Sequence, residues 1–272
     1  MSFAEKQYFA LLQFALWNKP IEIEGEIDWG SVVRMARHHG NHVLIADVAS
    51  RLPSDQQPSP ELFAKLKNAM RANLVNQLEL KRILVMVVTA MRKQGIEPVL
   101  LKGFGLAMLY PNPALRQFGD LDLFVGLSRF HEACAIMRDL PGSHSWCMEK
   151  DAGRHYNVDF GDHPVETHRV SADVVDPEER EYYAAIEQDG LVNHLRHIEY
   201  EGFSLTLPSA EFVVFFTFYH AWHHFMTTGV GWRQLSDVAM ALHSYLGSQA
   251  AKAEPFDVDK LHACRSFQNF QA

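Results

Sequence analysis

The feature that most constrains this chain is a pair of acidic residues inside an apolar, strand-like segment. In residues 119–125 (GDLDLFV), Asp120 and Asp122 are separated by one leucine. Side chains alternate between the two faces of a strand, so both acids would share one face while the leucines point to a core. Adjacent carboxylates repel each other unless cations neutralise them, and their oxygens suit Mg²⁺ or Mn²⁺. By itself the segment fits either a carboxylate metal site facing a cleft or a chance pair of solvated acids in a loop or at a sheet edge, and the surrounding residues must decide between them.

Helical patterns precede and follow this segment. Apolar spacing predicts helices through residues 1–95, including a long one that begins at Ser59-Pro60. Short apolar runs at 96–207 predict strands, and helical spacing returns at 208–272. We expect an α+β fold in which a small mixed β-sheet core is flanked by an N-terminal helical region and a C-terminal helical region, the latter incomplete.

The charge, cysteine spacing and apolar runs of the chain exclude several classes of protein. The 272 residues include 33 Asp and Glu against 25 Lys and Arg, a formal charge of -8, so extended nucleic-acid binding is not expected. Cys134, Cys147 and Cys264 are too scattered to predict a disulfide framework or a thiolate zinc site, which favours a reducing cytoplasm. No run approaches the roughly 20 apolar residues that cross a bilayer. We expect a cytoplasmic protein with no membrane partner.

Further motifs stand around the acidic pair. In chain order they are an apolar run at 99–101, Lys102-Gly103, Tyr110-Pro111, Arg116 and Gly119-Asp120-Leu121-Asp122. This arrangement resembles the uncharacterised nucleotidyltransferase family of the DNA polymerase β superfamily, most specifically over residues 98–126. The resemblance implies a small mixed sheet with a glycine-containing turn, an Asp-x-Asp pair and a third carboxylate on a neighbouring strand. It also implies an NTP substrate, Mg²⁺ or Mn²⁺, and two-metal transfer of a nucleoside monophosphate to a hydroxyl acceptor.

The resemblance assigns roles to individual residues. Asp120 and Asp122 would be catalytic metal ligands, and Gly103 would let the backbone approach the nucleotide phosphates. For the third acid we favour Glu166, which lies in a strand-like piece with apolar or hydroxyl neighbours on the opposite face. Glu166 would complete the metal site and accept the hydroxyl proton. Asp159, in the preceding strand-like piece, is the alternative.

The turn departs from the superfamily pattern in two ways. Phe104 follows Gly103 where the superfamily usually has serine, and the spacing from Gly103 to Asp120 is longer than in its smallest members. Lys102 and Arg116 would compensate as cations that bind the phosphates of the nucleotide. The alternative for both cations is a surface position or an ion pair with the carboxylates.

A late helix carries His220, His223 and His224 and is followed by Arg233 and Asp237. By the resemblance, His220, His224, Arg233 and Asp237 would form a wall of the cleft for the acceptor or nucleotide. His220 and His224 are also spaced to share a metal, although no third ligand is adjacent in sequence. An ion pair between Arg233 and Asp237 within one helix is the structural alternative.

The sequence is compatible with three functions. The first is an enzyme that transfers a nucleoside monophosphate to a small molecule, sugar or protein. The second is a catalytically inactive module on the same fold that binds nucleotide or a protein partner, for which Phe104 is the main reason. The third is a metal-dependent hydrolase built on the His-rich helix.

Overall fold

The computed structural model describes residues 1–23, 25–145, 153–172, 174 and 177–246. The expected C-terminal region beyond residue 246 lies outside the described residues, as do Cys147 and Cys264, while Cys134 is buried and forms no disulfide within the described part of the chain. Within the described part, no helix is both long and apolar enough to cross a membrane.

Helices dominate both ends of the described chain. They are α1 (Phe3–Trp17), α2 (Trp29–His38), α3 (His42–Arg51), α4 (Pro60–Lys93), α5 (Phe104–Ala107), α6 (Gly126–Asp139), α7 (Pro177–Gln188), α8 (Ala210–Thr227) and α9 (Trp232–Leu246). A 3-10 turn at Pro113–Leu115 lies between α5 and the next strand, and a π-helical turn at Asp189–Asn193 follows α7. The predicted start of α4 is confirmed, because Ser59 Oγ accepts a hydrogen bond from the Leu62 amide at 3.4 Å and Pro60 occupies the first turn.

Seven strands form one mixed sheet in the order β3-β4-β5-β2-β1-β7-β6. The strands are β1 (Val99–Leu100), β2 (Leu121–Phe124), β3 (Ser143–His144), β4 (His155–Phe160), β5 (His163–His168), β6 (Arg196–Tyr200) and β7 (Phe203–Leu207). β2 runs parallel to β5, and β1 runs parallel to β7, whereas the other neighbours are antiparallel. The expected fold, a small mixed sheet flanked by helices, is confirmed.

The sheet separates two helical layers. Leu121 and Leu123 of β2 are fully buried against the second half of α4 and against α6. The neighbouring residues on the opposite face, including Phe124, pack with Phe212 and Phe216 of α8. The strand period of two thus places the carboxylate of Asp122 on the α8 side, as the sequence pattern predicts.

Helix α4 also connects the sheet to the N-terminal helices. Leu66, in its first half, packs in a cluster formed mainly by α1, α2 and α3. Between the two clusters, side-chain amides of α4 hold the backbone that leads into β2: Asn73 Nδ2 donates to Ala114 O, and Gln77 Nε2 donates to Arg116 O, each at 2.8 Å. The segment before the acidic pair is therefore positioned by a helix.

Candidate active site

A pocket of about 350 Å³ lies between the sheet face that bears Asp122 and helices α8 and α9. Its volume falls in the range of small-molecule sites, roughly 300–1,000 Å³. All the expected site residues except Gly103 line this pocket. They are Lys102, Arg116, Asp120, Asp122, Glu166, His220, His224, Arg233 and Asp237.

The floor of the pocket carries the acidic residues. Asp122 of β2 lies directly opposite Glu166 of the parallel strand β5. Asp120 immediately precedes β2 and also lines the pocket. Asp159 lies on β4, one strand farther from β2, opposite Pro164, and does not line the pocket. The sheet therefore brings Asp120, Asp122 and Glu166 together and leaves Asp159 to one side.

The carboxylate of Asp122 is almost completely buried, with 1 % of the side chain exposed. Its Oδ1 lies 2.9 Å from Lys102 Nζ and 3.2 Å from His168 Nε2. Burial by itself would raise the pKa of Asp122, but Lys102 and His168 hold that pKa well below its ordinary value. In turn, Asp122 and Asp120 outweigh the effect of burial and raise the pKa of Lys102. The Asp122 carboxylate is therefore ionised and flanked by cationic groups.

The second oxygen of Asp122 is available to a metal ion. Oδ2 is buried and has no hydrogen-bond partner among the described residues. A buried acceptor without a partner is costly, and Asp122 lines the same pocket as Asp120 and Glu166. Such an all-oxygen donor set is the kind that Mg²⁺ and Mn²⁺ prefer. The residues present fit a divalent ion.

Glu166 lies in a network with two histidines. Its Oε2 is 3.3 Å from His168 Nε2 and 3.7 Å from His155 Nε2. Burial would raise the pKa of Glu166, yet its hydrogen bond with His168 lowers it overall. Burial opposes the charged form of His168 as well, but Asp122 and Glu166 raise its pKa. His168 thus bridges the two carboxylates that the parallel strands place side by side.

The turn after β1 depends on a glycine. Gly103 has φ 61 and ψ -120, a backbone conformation that residues with a Cβ rarely adopt. The turn leads directly into the short helix α5, whose first residue, Phe104, is buried in the core. Phe104 is therefore a packing residue and offers no hydroxyl to a ligand.

Arg116 is held in a buried ion pair. Its Nε and Nη2 donate to the two oxygens of Asp237 at 2.7 and 2.9 Å, and its Nη1 donates to Gly103 O at 3.2 Å. Tyr110 donates a further hydrogen bond to Asp237 Oδ1 at 2.7 Å. Burial opposes the charge, but Asp237 raises the pKa of the Arg116 guanidinium above its ordinary value. Asp237 thus pairs with Arg116 across the fold, while Arg233 Nη1 donates to Gln117 O at 3.4 Å.

Helix α8 supplies the wall opposite the carboxylates. The rings of His220 and His224 are 4.5 Å apart, and His224 Nδ1 lies 3.1 Å from Thr228 Oγ1. Burial, with Lys102 and His224 nearby, lowers the pKa of His220 to about 2. The described residues contain no cluster of three potential metal ligands at this wall. His220 is therefore a neutral side chain facing the pocket.

Several pocket residues were missed in the sequence. They include Arg154, His168, Ser171, Tyr219 and Gln234. The signal for His168 was present, because it lies two residues beyond Glu166 in a strand and must share its face. Arg154 lies immediately before β4, and no sequence spacing links it to Asp120 and Asp122, so it could not be predicted.

The sequence of the chain matches a known protein family. The model of a family described as uncharacterised nucleotidyltransferase matches residues 25–262, which is most of the chain. No curated protein matches the chain.

Three solved structures are similar at low sequence identity. The solution structure of the antibiotic-resistance factor ANT(2'')-Ia has a TM-score of 0.48 and 13% identity, covering 72% of this chain and 94% of that one. The crystal structure of ANT(2'')-Ia with adenylyl-2''-tobramycin has a TM-score of 0.45 and 15% identity, covering 70% and 98%. An antigenic nucleotidyltransferase-like protein from Paracoccidioides brasiliensis has a TM-score of 0.42 and 14% identity, covering 68% and 83%. Similarities at this level carry no information about the substrate. The match over residues 25–262 does establish the family: the chain belongs to the uncharacterised nucleotidyltransferases.

Proposed function

We propose that this chain transfers a nucleoside monophosphate from an NTP to a hydroxyl group of an acceptor and releases pyrophosphate. The observation that carries the proposal is the pairing of Asp122 with Glu166 across two parallel strands at the floor of a pocket. Asp122 Oδ2 is buried there without a hydrogen-bond partner among the described residues. Family membership supports the same reaction class.

Asp120, Asp122 and Glu166 would hold the divalent ions, Mg²⁺ or Mn²⁺. Bound in this position, the ions would neutralise the triphosphate and stabilise the charge that develops during transfer. Glu166 is well placed to accept the proton of the acceptor hydroxyl, because 23 % of its side chain remains exposed at the pocket. In the transfer, the acceptor oxygen forms a bond to the α-phosphorus, and the bond from that phosphorus to the pyrophosphate oxygen breaks.

Lys102 and Gly103 would position the triphosphate. Lys102 projects into the pocket beside Asp122, where its ammonium group can neutralise a phosphate oxygen. Gly103 does not itself line the pocket, but its left-handed conformation would set the turn that presents Lys102 to the phosphates. Arg116 lies on the wall, but its guanidinium holds Asp237 and Gly103 O. We propose that Arg116 supports nucleotide binding by fixing this turn.

The wall formed by α8 and α9 would contact the acceptor or the nucleoside. His220 and His224 offer neutral hydrogen-bonding groups, and Arg233 adds a positive charge at the same wall. Asp237 acts here through its ion pair with Arg116. The acceptor itself is a small molecule, a sugar or a protein hydroxyl.

The proposal is tested by incubating the full chain with each of the four NTPs, labelled at the α-phosphate, with Mg²⁺ or Mn²⁺. Pyrophosphate release and label on the protein or on added sugars, small molecules and proteins are measured. We expect metal-dependent release that Asp120→Asn and Asp122→Asn abolish while circular dichroism stays native. The control is Asp162→Asn, which changes an exposed acid in the turn between β4 and β5. Turnover in either site variant at the wild-type rate would refute the assignment.

One observation favours a second candidate, a catalytically inactive module that binds nucleotide or a protein partner. Lys102 and His168 already lie against Asp122, so the charge of this carboxylate is compensated without any added cation. This second candidate predicts nucleotide binding, measured by calorimetry, with no pyrophosphate release under any metal condition.

A further inference from the structure

Two histidines and one glutamate converge beside the acidic pair. His155 of β4 lies directly opposite His168 of β5, and Glu166 precedes His168 by two residues on the same strand. Opposite residues in neighbouring strands share a face, as do residues two apart in one strand. The sheet therefore fixes all three side chains on the face that carries the pocket.

The spacing of the three donor atoms matches that of a metal site. Glu166 Oε2 lies 3.3 Å from His168 Nε2 and 3.7 Å from His155 Nε2, and one donor atom from each residue lies within 4.8 Å of the others. Ligand atoms bound at 2.0–2.1 Å to a tetrahedral zinc ion are about 3.3 Å from one another. Small side-chain rotations would thus place a common ion within bonding distance of all three, and the ion would replace the proton that His168 Nε2 holds between Asp122 and Glu166.

We propose that His155, Glu166 and His168 form a binding site for one transition-metal ion of the zinc type. Imidazole nitrogens select such ions over Mg²⁺, which prefers oxygen ligands. Three protein ligands leave a fourth position for water or a phosphate oxygen. The site shares Glu166 with the carboxylate set, but it depends on these three side chains alone and would bind metal even without nucleotidyl transfer.

Arg154 controls access of a metal ion to this site. Its Nε donates a hydrogen bond to His155 Nδ1 at 3.2 Å, so the neutral imidazole carries its proton on Nε2, the atom that faces Glu166. Binding a metal through Nε2 requires that proton to move to Nδ1 and Arg154 to turn away. The charge of Arg154 also opposes a second cation. Replacing Arg154 by glutamine removes this charge and provides an oxygen that can accept from Nδ1.

The test uses the full chain, stripped of metal with a chelator and kept free of nucleotide. Zn²⁺ is titrated against a competing indicator, and Co²⁺ is added as a spectroscopic probe that shows visible absorption when four ligands surround it. We expect one equivalent of either ion to bind and excess Mg²⁺ not to displace it. His155→Gln and Glu166→Gln should each weaken Zn²⁺ binding at least about tenfold, the smallest loss typical of even indirect partners in metal sites. Arg154→Gln should tighten it.

The matched control is His163→Gln, which removes a histidine from the opposite end of β5. This variant should bind Zn²⁺ and Co²⁺ as the wild type does. Wild-type affinity in His155→Gln, or displacement of Zn²⁺ by Mg²⁺, would overturn the proposal. Since the readout is metal binding without nucleotide, an absence of nucleotidyl transfer would leave this result unaffected.

Discussion

Arg116 and Asp237, 121 positions apart in the chain, are joined by two hydrogen bonds between a guanidinium and a carboxylate, both buried. The pair ties the segment before β2 to helix α9. Through Arg116 Nη1 and Gly103 O it also reaches the turn after β1. Three separate parts of the pocket wall are thereby held in one arrangement.

Breaking this ion pair should destabilise the protein. Asp237→Asn leaves the Arg116 charge buried without its partner, and we expect the free energy of unfolding to fall by about 3–5 kcal/mol. Urea denaturation measures this change. In an Arg116→Met background, Asp237→Asn should lower the free energy of unfolding much less, because the guanidinium charge of Arg116 is then absent. Equal costs in both backgrounds would show that the pair is not coupled.

The two candidates for the third carboxylate predict opposite results. Glu166→Gln should lower nucleotidyl transfer by roughly 100-fold or more, because it removes the acid opposite Asp122. Asp159→Asn, on the strand beyond, should retain the wild-type rate. Rates of pyrophosphate release under saturating NTP compare the two variants directly. Loss of transfer in Asp159→Asn with activity preserved in Glu166→Gln would reverse the assignment.

The turn at Gly103 should not tolerate a side chain. Gly103→Ala forces an L-residue into φ 61 and ψ -120, which should cost about 1–3 kcal/mol of stability. The same substitution should weaken nucleotide binding, measured by calorimetry on the folded fraction. Gly119→Ala is the matched control, since a Cβ there meets nothing within 4 Å and its φ is not in the left-handed region. A similar loss in both variants would exclude backbone strain at Gly103 as the cause.

Acid should destabilise the protein partly through His220. Burial, Lys102, His224 and Arg233 lower its pKa in the folded state to about 2 from 6.5, while Asp122 acts in the opposite direction. The unfolded chain therefore binds a proton as the pH falls below 6.5, and the folded chain does not. Stability contributed by neutral His220 is complete above pH 6.5 and declines below it, by about 2 kcal/mol at pH 5.

His220→Gln tests this dependence. The variant should lose less stability between pH 7.5 and pH 5 than the wild type, whatever its absolute stability, as measured by urea denaturation at both values. His131→Gln, at an exposed position on α6, is the matched histidine-to-glutamine control. An unaltered pH dependence in His220→Gln would mean that the imidazole is not kept neutral by the fold.

Local patterns were sufficient to predict much of the fold. The period-two alternation in β2 correctly assigned the leucines to the core, and Ser59-Pro60 marked the start of α4. Both features depend on residues that are close in sequence. The strand order could not be predicted in this way, because the parallel pairing of β2 with β5 joins residues 44 positions apart, such as Leu121 and Val165.

In the site, too, features set by local spacing could be predicted from the sequence, whereas features set by tertiary packing could not. His168 was predictable from its spacing to Glu166, since both lie on one strand face. The partner of Asp237 was not predictable, because a helical ion pair with Arg233 satisfies the local spacing equally well. Only the packing of α9 against the segment before β2 selects Arg116.

The amides of Asn73 and Gln77 give the acidic pair an unusual support. Their hydrogen bonds hold the backbone carbonyls of Ala114 and Arg116, in the segment that leads to Asp120, so this segment is fixed by side chains of α4 and not by a neighbouring strand. A strand that starts from such a fixed point cannot slide in register by one residue without breaking these bonds. Helix α4 therefore fixes the register that places Asp122 opposite Glu166. It does so from the far side of the sheet, where no ligand in the pocket would touch it.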